Sequence, residues 1–440
     1  MHNLNIMEYA FPVMLVLIVT EILFSWLMKR PYYRANAVIA DVSTGIIFAM
    51  VGVANLALAL LAYAWIETNF SLKTLGIQLF TAANPFYLTE SAPGFGIRAW
   101  PLLSWIVAIL AVDLVYYWFH RLAHEIALFW ASHVTHHSTE EIYLTVAFRG
   151  NATQRFFEYP FFFILALLGL PWVMFLLAHR LLKIYQFAVH TRFFGKLGIL
   201  EEFMVTPSLH RLHHDTVPEH LDVNHGGIFI IWDRLFGTYA IEKTEPLYGL
   251  THPVRSFNPL WTTFHEYVNI FRNASQARTW KDRLWTVFGP PGWKAEHLRT
   301  PADEIVIPAY TSKYDPQIPV ALKAYAIVQA TLVVLMGLIT WKVALLPHVP
   351  VVLTGLLFTY VVFGLTSVNG VLERKRWSIP TEFLRSAFVV ITVLVVQYGH
   401  MLPTQPGMAA ISVFLVTVSL LSMLLFITRL GDYRARLADA

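Results

Sequence analysis

The sequence predicts an all-α integral membrane protein, in which a bundle of transmembrane helices carries a histidine-rich cap at one membrane surface. Of its 440 residues, 56% are hydrophobic and only 14% are charged, whereas soluble domains contain about 25% charged residues. Several apolar windows reach the roughly 20 residues that are needed to cross a bilayer. Twelve of the 18 histidines fall between residues 120 and 225, and this concentration predicts the cap.

The composition also excludes several kinds of site. There is no cysteine, which excludes disulfides, thiolate metal ligands and a cysteine nucleophile together. The net charge of +4 suits a basic rim beside anionic lipids and does not favour nucleic-acid binding. The first residues lack the basic start and the cleavage site of a signal peptide, so we expect the first span to stay attached.

Apolar runs give the order of the helices along the chain. We expect the first two spans at Ala10–Met28 and Val38–Ile66, and a third at Trp100–Phe119. Pro171 interrupts the apolar segment Phe156–His190, which predicts a hairpin that enters the membrane and returns to the same side. Four more spans are expected at Ala324–Trp341, Val349–Val371, Phe383–His400 and Met408–Thr428.

These elements divide the chain into four parts. We expect residues 1–98 to hold the first two helices and a loop with Gly and Pro, and residues 99–240 to form a histidine-rich domain. Residues 241–318 are mixed, polar and rich in Pro and Trp, so we expect a cytoplasmic connector with limited regular structure. Residues 319–440 hold the C-terminal transmembrane helices.

Basic residues predict the orientation of the chain in the membrane. They lie in alternate loops, at Lys29, Arg30, Arg34, Arg374, Lys375, Arg376, Arg429, Arg434 and Arg436. Because short cytoplasmic loops carry the excess of Lys and Arg, we expect these loops on the cytoplasmic side. The hairpin then brings every histidine motif to that side, in a multi-pass protein of the bacterial inner membrane or the endoplasmic reticulum.

Three histidine motifs have the spacings of metal ligands on helices. They are H-x3-H at His120 and His124, H-x2-H-H at His133, His136 and His137, and a second H-x2-H-H at His210, His213 and His214. Residues three or four apart share one helical face, whereas adjacent residues diverge by about 100°. One turn can therefore offer nitrogens to two neighbouring ions, and eight imidazoles are too many for one ion.

The returning leg of the hairpin adds a polar stripe on one helical face, made of His179, Lys183, Gln186 and His190. His190 is nearest to the basic side and is a candidate ninth ligand, with a hydrogen-bonded packing residue as the alternative. His179 lies three turns deeper, where we expect a packing role.

The ligand type leaves zinc, copper, iron and nickel open. Arg121 occupies the position of the catalytic glutamate in the zinc-hydrolase motif H-E-x-x-H. Bis-histidine haem needs one ligand on each of two helices, and a transporter places its ligands near the bilayer midplane. We therefore expect a dinuclear iron centre that activates O2 at the membrane surface, where it meets lipid chains.

Two carboxylates are candidates for catalytic or supporting roles. Asp113 lies seven residues before His120, so it could accept the second N–H of a ligand imidazole; the alternative is a packing hydrogen bond to a neighbouring tyrosine. Glu125 follows His124 and could hold a ligand or guide a proton. Its alternative is a surface pair with Arg121, four residues earlier.

The sequence around the histidines resembles the fatty acid hydroxylase/sterol desaturase superfamily of integral membrane di-iron enzymes. The resemblance covers residues 113–125 (DLVYYWFHRLAHE), 133–141 (HVTHHSTEE), 185–191 (YQFAVHT), 206–214 (TPSLHRLHH) and 226–239 (GGIFIIWDRLFGTY). Segments outside this core, YGLTHP at 248–253, GPPGW at 289–293 and the C-terminal spans, make the sequence most similar to the branch that oxidises ether lipids.

The resemblance implies two irons held by the eight motif histidines, with His190 in addition. It implies that one oxygen atom of O2 enters the carbon next to an ether oxygen of a glycerolipid, and that the resulting hemiacetal separates into an aldehyde and a glycerol derivative. The implied electron donor is tetrahydrobiopterin. Relatives in the superfamily also act on sterols, fatty acids and aminolipids, which leaves the lipid open.

The chain departs from the superfamily pattern at two places. Gln186 replaces the first histidine of an H-x3-H on the returning leg, and the N-x-G-G segment contains His225 after Asn224. Together with Asp215, which follows the third motif, these residues are possible outer-shell groups around the metal ligands.

Two rival functions stay open from the sequence alone. A desaturase of the same superfamily removes a second hydrogen instead of adding oxygen. A non-catalytic metal-binding membrane protein, such as a transporter, would bind metal without consuming O2 when lipid is added. Product mass and O2 consumption distinguish these functions from a monooxygenase.

Overall fold

The structure is a computed structural model. It describes residues 6–30, 32–77, 79–80, 99–301, 313–344, 349–398, 408–429 and 431. In these ranges the regular elements are helices, and the β-structure consists of two isolated bridges, Met204 with Phe229 and Asp215 with Tyr248. The predicted all-α class is confirmed.

The long helices follow the predicted order. They are α1 (Ile6–Leu27), α2 (Ala35–Phe70), α3 (Ala99–Glu125), α6 (Gln154–Leu167), α7 (Trp172–Val189), α12 (Val320–Ala344), α13 (Val351–Leu372), α14 (Ser378–Tyr398) and α15 (Met408–Thr428). Helices α6 and α7 form the predicted hairpin, and Gly169 (φ +84°) takes the left-handed conformation in its turn. α3 extends six residues beyond the predicted end at Phe119, so its last turns carry the first histidine motif.

Shorter helices complete the cap. They are α4 (Ala127–Ala131), α5 (Val134–His137), α8 (Pro207–His213) and α9 (Ile231–Phe236). Two further helices, α10 (Pro259–Gln276) and α11 (Trp280–Phe288), lie in the region expected to be a connector with limited regular structure. That expectation was wrong because Pro259 does not interrupt α10 but begins it, after Asn258 caps the helix by accepting N–H bonds from Leu260 and Trp261.

Six helical segments in the described ranges are long and apolar enough to cross a membrane. They are Ala10–Leu27, Ala35–Leu75, Leu103–Glu125, Trp172–Val189, Val320–Ala344 and Val351–Leu372. The chain is therefore a multi-pass membrane protein. Residues 81–98, which hold the predicted loop with Gly and Pro, lie outside the described residues, as do His400, Arg434 and Arg436.

Buried aromatic packing fixes α3 against the hairpin. Tyr116 and Phe119 of α3 pack in one cluster with Phe162 of α6 and Phe175 of α7. Tyr63 of α2 stacks on Phe175 at a centroid distance of 4.7 Å. This packing holds the end of α3 rigid where the first histidines begin.

A buried carboxylate attaches α1 to the cap. Glu21 accepts hydrogen bonds from the Leu144 amide at 2.8 Å, from the Thr191 hydroxyl at 2.5 Å and from Tyr33. A charged group inside a membrane helix needs such partners, since lipid offers none. Thr191 directly follows His190, so this contact fixes the chain beside a candidate ligand.

Candidate metal centre

Nine histidines converge into two neighbouring groups. The first contains His120, His124, His133, His137 and His213, and the second contains His136, His190, His210 and His214. In each group one ligand nitrogen per residue lies within 4.8 Å of all the others. The structure therefore brings together all eight motif histidines and adds His190.

Short nitrogen–nitrogen distances mark the centre of each group. In the first, His133 Nε2 lies 3.0 Å from His120 Nε2 and 3.2 Å from His137 Nε2. In the second, His190 Nε2 lies 3.2 Å from His136 Nε2 and 2.9 Å from His210 Nε2. Such separations are those of neighbouring nitrogen ligands around one metal ion, which binds each nitrogen at about 2.0–2.1 Å.

Adjacent histidines are divided between the two groups. His136 and His137 have ring planes at 89° with centroids 5.4 Å apart, and His213 and His214 have planes at 86° and the same centroid distance. The groups also touch directly, because His137 stacks on His214 with centroids 4.4 Å apart. One helical turn thus serves two adjacent positions, as the spacing predicts.

The opposite ring nitrogens are anchored to the backbone. His120, His136, His190 and His213 each donate an Nδ1–H bond to a carbonyl oxygen, that of His225 (2.8 Å), Arg149 (3.1 Å), Gln186 (2.6 Å) and Val223 (2.8 Å), respectively. A carbonyl partner requires the proton on Nδ1, which leaves the lone pair on Nε2. The ring orientation and the tautomer therefore both suit metal ligation.

Burial keeps these imidazoles neutral. Loss of hydration, followed by the mutual repulsion of neighbouring histidines, lowers the pKa of His137 and His214 well below the ordinary 6.5. The same burial lowers the pKa of His190 to about 4. Only the neutral ring can donate a lone pair to a metal ion, so at physiological pH these rings need not lose a proton before they bind one.

Orphaned nitrogens show that the groups fit metal ions. Nε2 of His124, His213 and His214 is buried without a hydrogen-bond partner. A buried nitrogen lone pair without a partner is costly, and a cation at the centre of each group would satisfy it. An all-imidazole ligand set suits iron, copper, nickel and zinc.

Asp113 does not accept the predicted imidazole hydrogen bond. Its carboxylate accepts hydrogen bonds from the amides of Ile228 (2.7 Å) and Phe229 (3.0 Å) and from Trp232 Nε1 (3.0 Å). It therefore holds the loop after His225, whose carbonyl accepts the Nδ1–H bond of His120. The effect of Asp113 on His120 is indirect, through the backbone.

The other predicted supporting carboxylates also bind elsewhere. Glu125 pairs with Arg121 at 2.8 Å, and its side chain is 43% exposed. This is the surface ion pair that the sequence offers as the alternative to a role beside His124. Asp215 accepts hydrogen bonds from the amides of Val217 and Leu247 and from His220 Nδ1. Both carboxylates have partners outside the two histidine groups.

Asn224 and His225 shape the loop beside the first group. Asn224 has φ +56° and donates hydrogen bonds to the carbonyls of Leu209 and Ala240. His225 is fully buried, and neither ring nitrogen has a hydrogen-bond partner. Its ring lies 5.2 Å from that of His124 between centroids, although it is not a member of either group.

The two histidines of the hairpin stripe have different neighbours. His190 joins the second group, whereas His179 Nε2 lies 3.0 Å from Glu158 Oε1. Glu158 also pairs with Lys183 at 2.9 Å and with Arg155 at 3.0 Å. The packing interpretation of His179 is therefore confirmed.

Asp222 is a partner of His124 that the sequence does not predict. Its Oδ1 lies 3.2 Å from His124 Nδ1, and its φ of +57° places it in the left-handed conformation. The carbonyls of Arg149 and Val223, which accept hydrogen bonds from His136 and His213, were not predicted either. No local sequence pattern identifies such partners, because each is 10 or more residues from its histidine.

A cavity of about 160 Å³ opens beside the histidines. Its apolar wall contains Met14, Phe48, Ala147, Phe148 and Phe187. Members of both groups, His120, His133, His136, His190 and His210, line the side that faces the metal positions. Polar residues such as Tyr116, Lys183 and Gln186 complete the lining.

Comparison with known proteins identifies the family. The model of the family described as "Fatty acid hydroxylase" matches residues 105–238. The chain is 32% identical over 406 residues to alkylglycerol monooxygenase from Danio rerio, covering 91% of this chain and 84% of that protein. This chain belongs to the alkylglycerol monooxygenase family. It is also 30% identical to alkylglycerol monooxygenase from Homo sapiens, with the same coverage.

A shorter part of the chain is similar to a second lipid enzyme. An ornithine lipid hydroxylase, OlsE from Rhizobium tropici, is 32% identical over 142 residues, which cover 32% of this chain and 43% of that protein. No solved structure matches significantly. Membership in the alkylglycerol monooxygenase family confirms the resemblance seen in the sequence and indicates that this membrane protein is an oxygenase.

Proposed function

We propose that this protein is a di-iron, O2-dependent monooxygenase that hydroxylates the alkyl chain of a membrane ether lipid. The observation that carries the proposal is the pair of imidazole groups beside a cavity with an apolar wall. An alkyl chain in that cavity would present a methylene group to both metal positions. Close placement of reactants is itself a large part of catalysis.

The first group would hold one iron and the second group the other. When bound and reduced, the iron pair supplies the activation of O2 for attack on an unactivated C–H bond. The Nδ1–H bonds to backbone carbonyls keep each ring in place, and the neutral state of the imidazoles leaves their lone pairs free. The protein groups thus contribute position and electronics.

The proposed substrate follows from the relatives, which are named alkylglycerol monooxygenases. One oxygen atom of O2 would enter the carbon next to the ether oxygen, and the other would leave as water. An external donor, for which we propose tetrahydrobiopterin, would supply two electrons, and two protons would be taken up. The hemiacetal would then separate into an aldehyde and a glycerol derivative.

The chain's own residues would exclude water and position the lipid. Phe48, Phe148 and Phe187 form apolar surface against which an alkyl chain can lie. Lys183 lies 3.2 Å from Gln186 Oε1 and 4.2 Å above the Tyr116 ring. These three polar side chains line the same cavity, so they can hold the oxygen atoms of the glycerol end by hydrogen bonds.

We also propose that the histidine groups face the cytoplasm, because Lys29, Arg30 and Arg34 border the first spans. The natural chain has no cysteine, so single cysteines report topology without background. Glu125→Cys, on the exposed pair with Arg121, should react with an impermeant maleimide only in inside-out vesicles. Labelling from the opposite side would reverse the orientation.

The experiment that tests the activity uses purified protein, reductant, an alkylglycerol and ¹⁸O2. We expect an aldehyde and a glycerol derivative, with one ¹⁸O incorporated into the aldehyde before exchange with water. A product that has lost two hydrogens would indicate a desaturase, and absence of lipid-dependent O2 consumption would indicate a non-catalytic metal protein. Both results would contradict the proposal.

Matched variants make this test specific to the histidine groups. His213→Ala removes an imidazole of the first group and should abolish product. His297→Ala removes an exposed histidine that contacts the Gln276 carbonyl, and it should leave turnover unchanged. Full activity of the His213→Ala protein would contradict the proposed site.

A further inference from the structure

Helix α10 has an exposed face that is entirely apolar over its first four turns. The exposed positions between residues 259 and 271 are Leu260, Trp261, Phe264, Val268 and Phe271. Phe271 is 75% exposed. A helix that faces water carries polar residues on its exposed side. The exposed side of α10 carries apolar residues instead.

Helix α11 repeats the pattern. Trp280, Leu284 and Phe288 are exposed at successive spacings of four residues, and Trp285 is exposed beside them. Trp280 is 74% exposed. Two consecutive amphipathic helices therefore present apolar stripes with three tryptophans, a residue enriched where lipid chains meet headgroups.

Exposed basic side chains border both stripes. They are Arg272 at the end of α10, Arg278 in the link between the helices, and Lys281 and Arg283 on α11. The acidic residues of the two helices are Glu266 and Asp282, and Asp282 is engaged with Thr279 at the start of α11. The border is therefore positively charged and complements anionic lipid headgroups.

The opposite face of α10 is hydrogen-bonded to the second histidine motif. Thr135 Oγ1, between His133 and His136, donates to the Thr262 carbonyl at 2.7 Å. Asn151 Nδ2 donates to the Thr263 carbonyl at 3.0 Å. At α11, the Gly289 carbonyl accepts from the Ala127 amide at 2.9 Å, where α4 begins. Both helices are thus attached to the segment that carries three ligands.

The same side of the molecule adjoins membrane helices. Tyr267 of α10 lies 2.6 Å from Thr153, hydroxyl to hydroxyl, immediately before α6. Phe156 in the first turn of α6 is 57% exposed. The Glu373 side chain at the end of α13 accepts the Asn258 amide that precedes α10. α10 therefore begins and runs where membrane helices end.

We propose that α10 and α11 form a membrane-interface surface that inserts its apolar stripes among the acyl chains of the adjacent leaflet. The basic border would contact anionic headgroups. Because the buried face of α10 binds the Thr135 turn, the depth of these helices would set the level of the metal groups relative to the lipid. This inference rests on exposure, charge and hydrogen bonds, and it does not depend on the proposed reaction.

The test uses the full chain in vesicles of phosphatidylcholine with and without phosphatidylglycerol. Because the sequence has no cysteine, the variants Phe271→Cys and Trp280→Cys each carry a single nitroxide label. Gln276→Cys is the matched control, since Gln276 is exposed in the last turn of α10 and lies about 140° around the helix from Phe271. Collision of each label with O2 and with a water-soluble nickel chelate is measured by electron paramagnetic resonance.

We expect labels at 271 and 280 to be accessible to O2 and shielded from the nickel chelate, and the label at 276 to show the reverse. Phosphatidylglycerol should increase the shielding, since it adds negative headgroups. Equal nickel accessibility at all three positions would overturn the proposal. Dipolar broadening between labels of different molecules would also overturn it, because it would show that a second copy covers the stripe.

Discussion

The Nε2 atoms of His190 and His210 lie 2.9 Å apart, which joins the end of a membrane helix to the third histidine motif. His190 follows the last residue of α7, and His210 lies in the middle of α8. Without His190 the second group would consist of three imidazoles from two motifs. The hairpin therefore contributes a candidate ligand as well as a wall of the cavity.

Replacement of His190 should empty one metal position selectively. The His190→Ala protein should retain the iron of the five-histidine group, so we expect iron to fall from about two to about one per chain, because metal affinity depends on ligand number. The measurement is elemental analysis of purified protein with and without chelator washing.

His179→Ala is the control for this variant, because His179 lies on the same face of α7 as His190 but contacts Glu158 of α6. We expect it to lower thermal stability and to keep about two irons per chain. Equal iron loss in both variants would show that His190 acts in packing and not as a ligand.

Acid should destabilise the iron-free protein over a defined range. The pKa of His190 is lowered to about 4, whereas an unfolded histidine titrates near 6.5. Between these values the unfolded chain binds more protons, so stability falls as pH decreases, by about 1.4 kcal/mol per pH unit for each such histidine.

The melting temperature of iron-free protein in detergent should therefore fall steadily from pH 6.5 towards pH 4, and it should be nearly constant above pH 7.5. Reconstitution with iron should displace the decline to lower pH, because protons and metal compete for the same lone pairs. A melting temperature independent of pH would contradict buried neutral imidazoles.

Asp113→Asn should weaken iron binding without removing a ligand. The amide of Asn cannot accept from all three donors that Asp113 binds in the loop 228–232. We expect a loss of about 1–3 kcal/mol in stability, as for a buried donor left unsatisfied, and faster iron release to a chelator.

Glu125→Gln provides the comparison, since the exposed pair with Arg121 should contribute at most about 1 kcal/mol. Its iron content and turnover should equal those of the natural protein. A large loss of turnover with unchanged iron in Glu125→Gln would instead restore the proton-transfer role that the sequence suggests.

Narrowing the cavity should reduce activity on long chains. Ala147 lines its apolar wall beside Phe148 and Phe187, so Ala147→Phe fills space that an alkyl chain would occupy. We expect kcat/KM for a long-chain alkylglycerol to fall about tenfold or more, in the range that pocket volume changes produce. Iron content should be unchanged, and an equal loss on short and long chains would argue against this cavity as the chain site.

The histidine motifs could be predicted from the sequence because their geometry is local. Helical spacing alone places His136 and His137 on different faces, and the structure assigns them to different groups. The hairpin around Pro171 was also predictable, since apolar length and a proline are properties of one segment. His190 followed from its position at the end of that hairpin.

The supporting contacts could not be predicted because they depend on tertiary packing. Asp113 shares a helical face with His120, yet its carboxylate binds backbone amides more than 110 residues later in the chain. Asp222 reaches His124 only through a left-handed loop residue. The composition of residues 241–318 indicated a connector with limited regular structure. The structure instead shows the helix α10, which Asn258 caps and which exposes apolar side chains on one face.

The most direct test of the two-site centre is the metal content and Mössbauer spectrum of protein grown on ⁵⁷Fe. We predict about two non-haem irons per chain in two distinct nitrogen environments, in accord with the two imidazole groups. The variants His124→Ala and His214→Ala, one from each group, should each lose a different spectral component. A single iron, or the loss of the same component in both variants, would contradict the account.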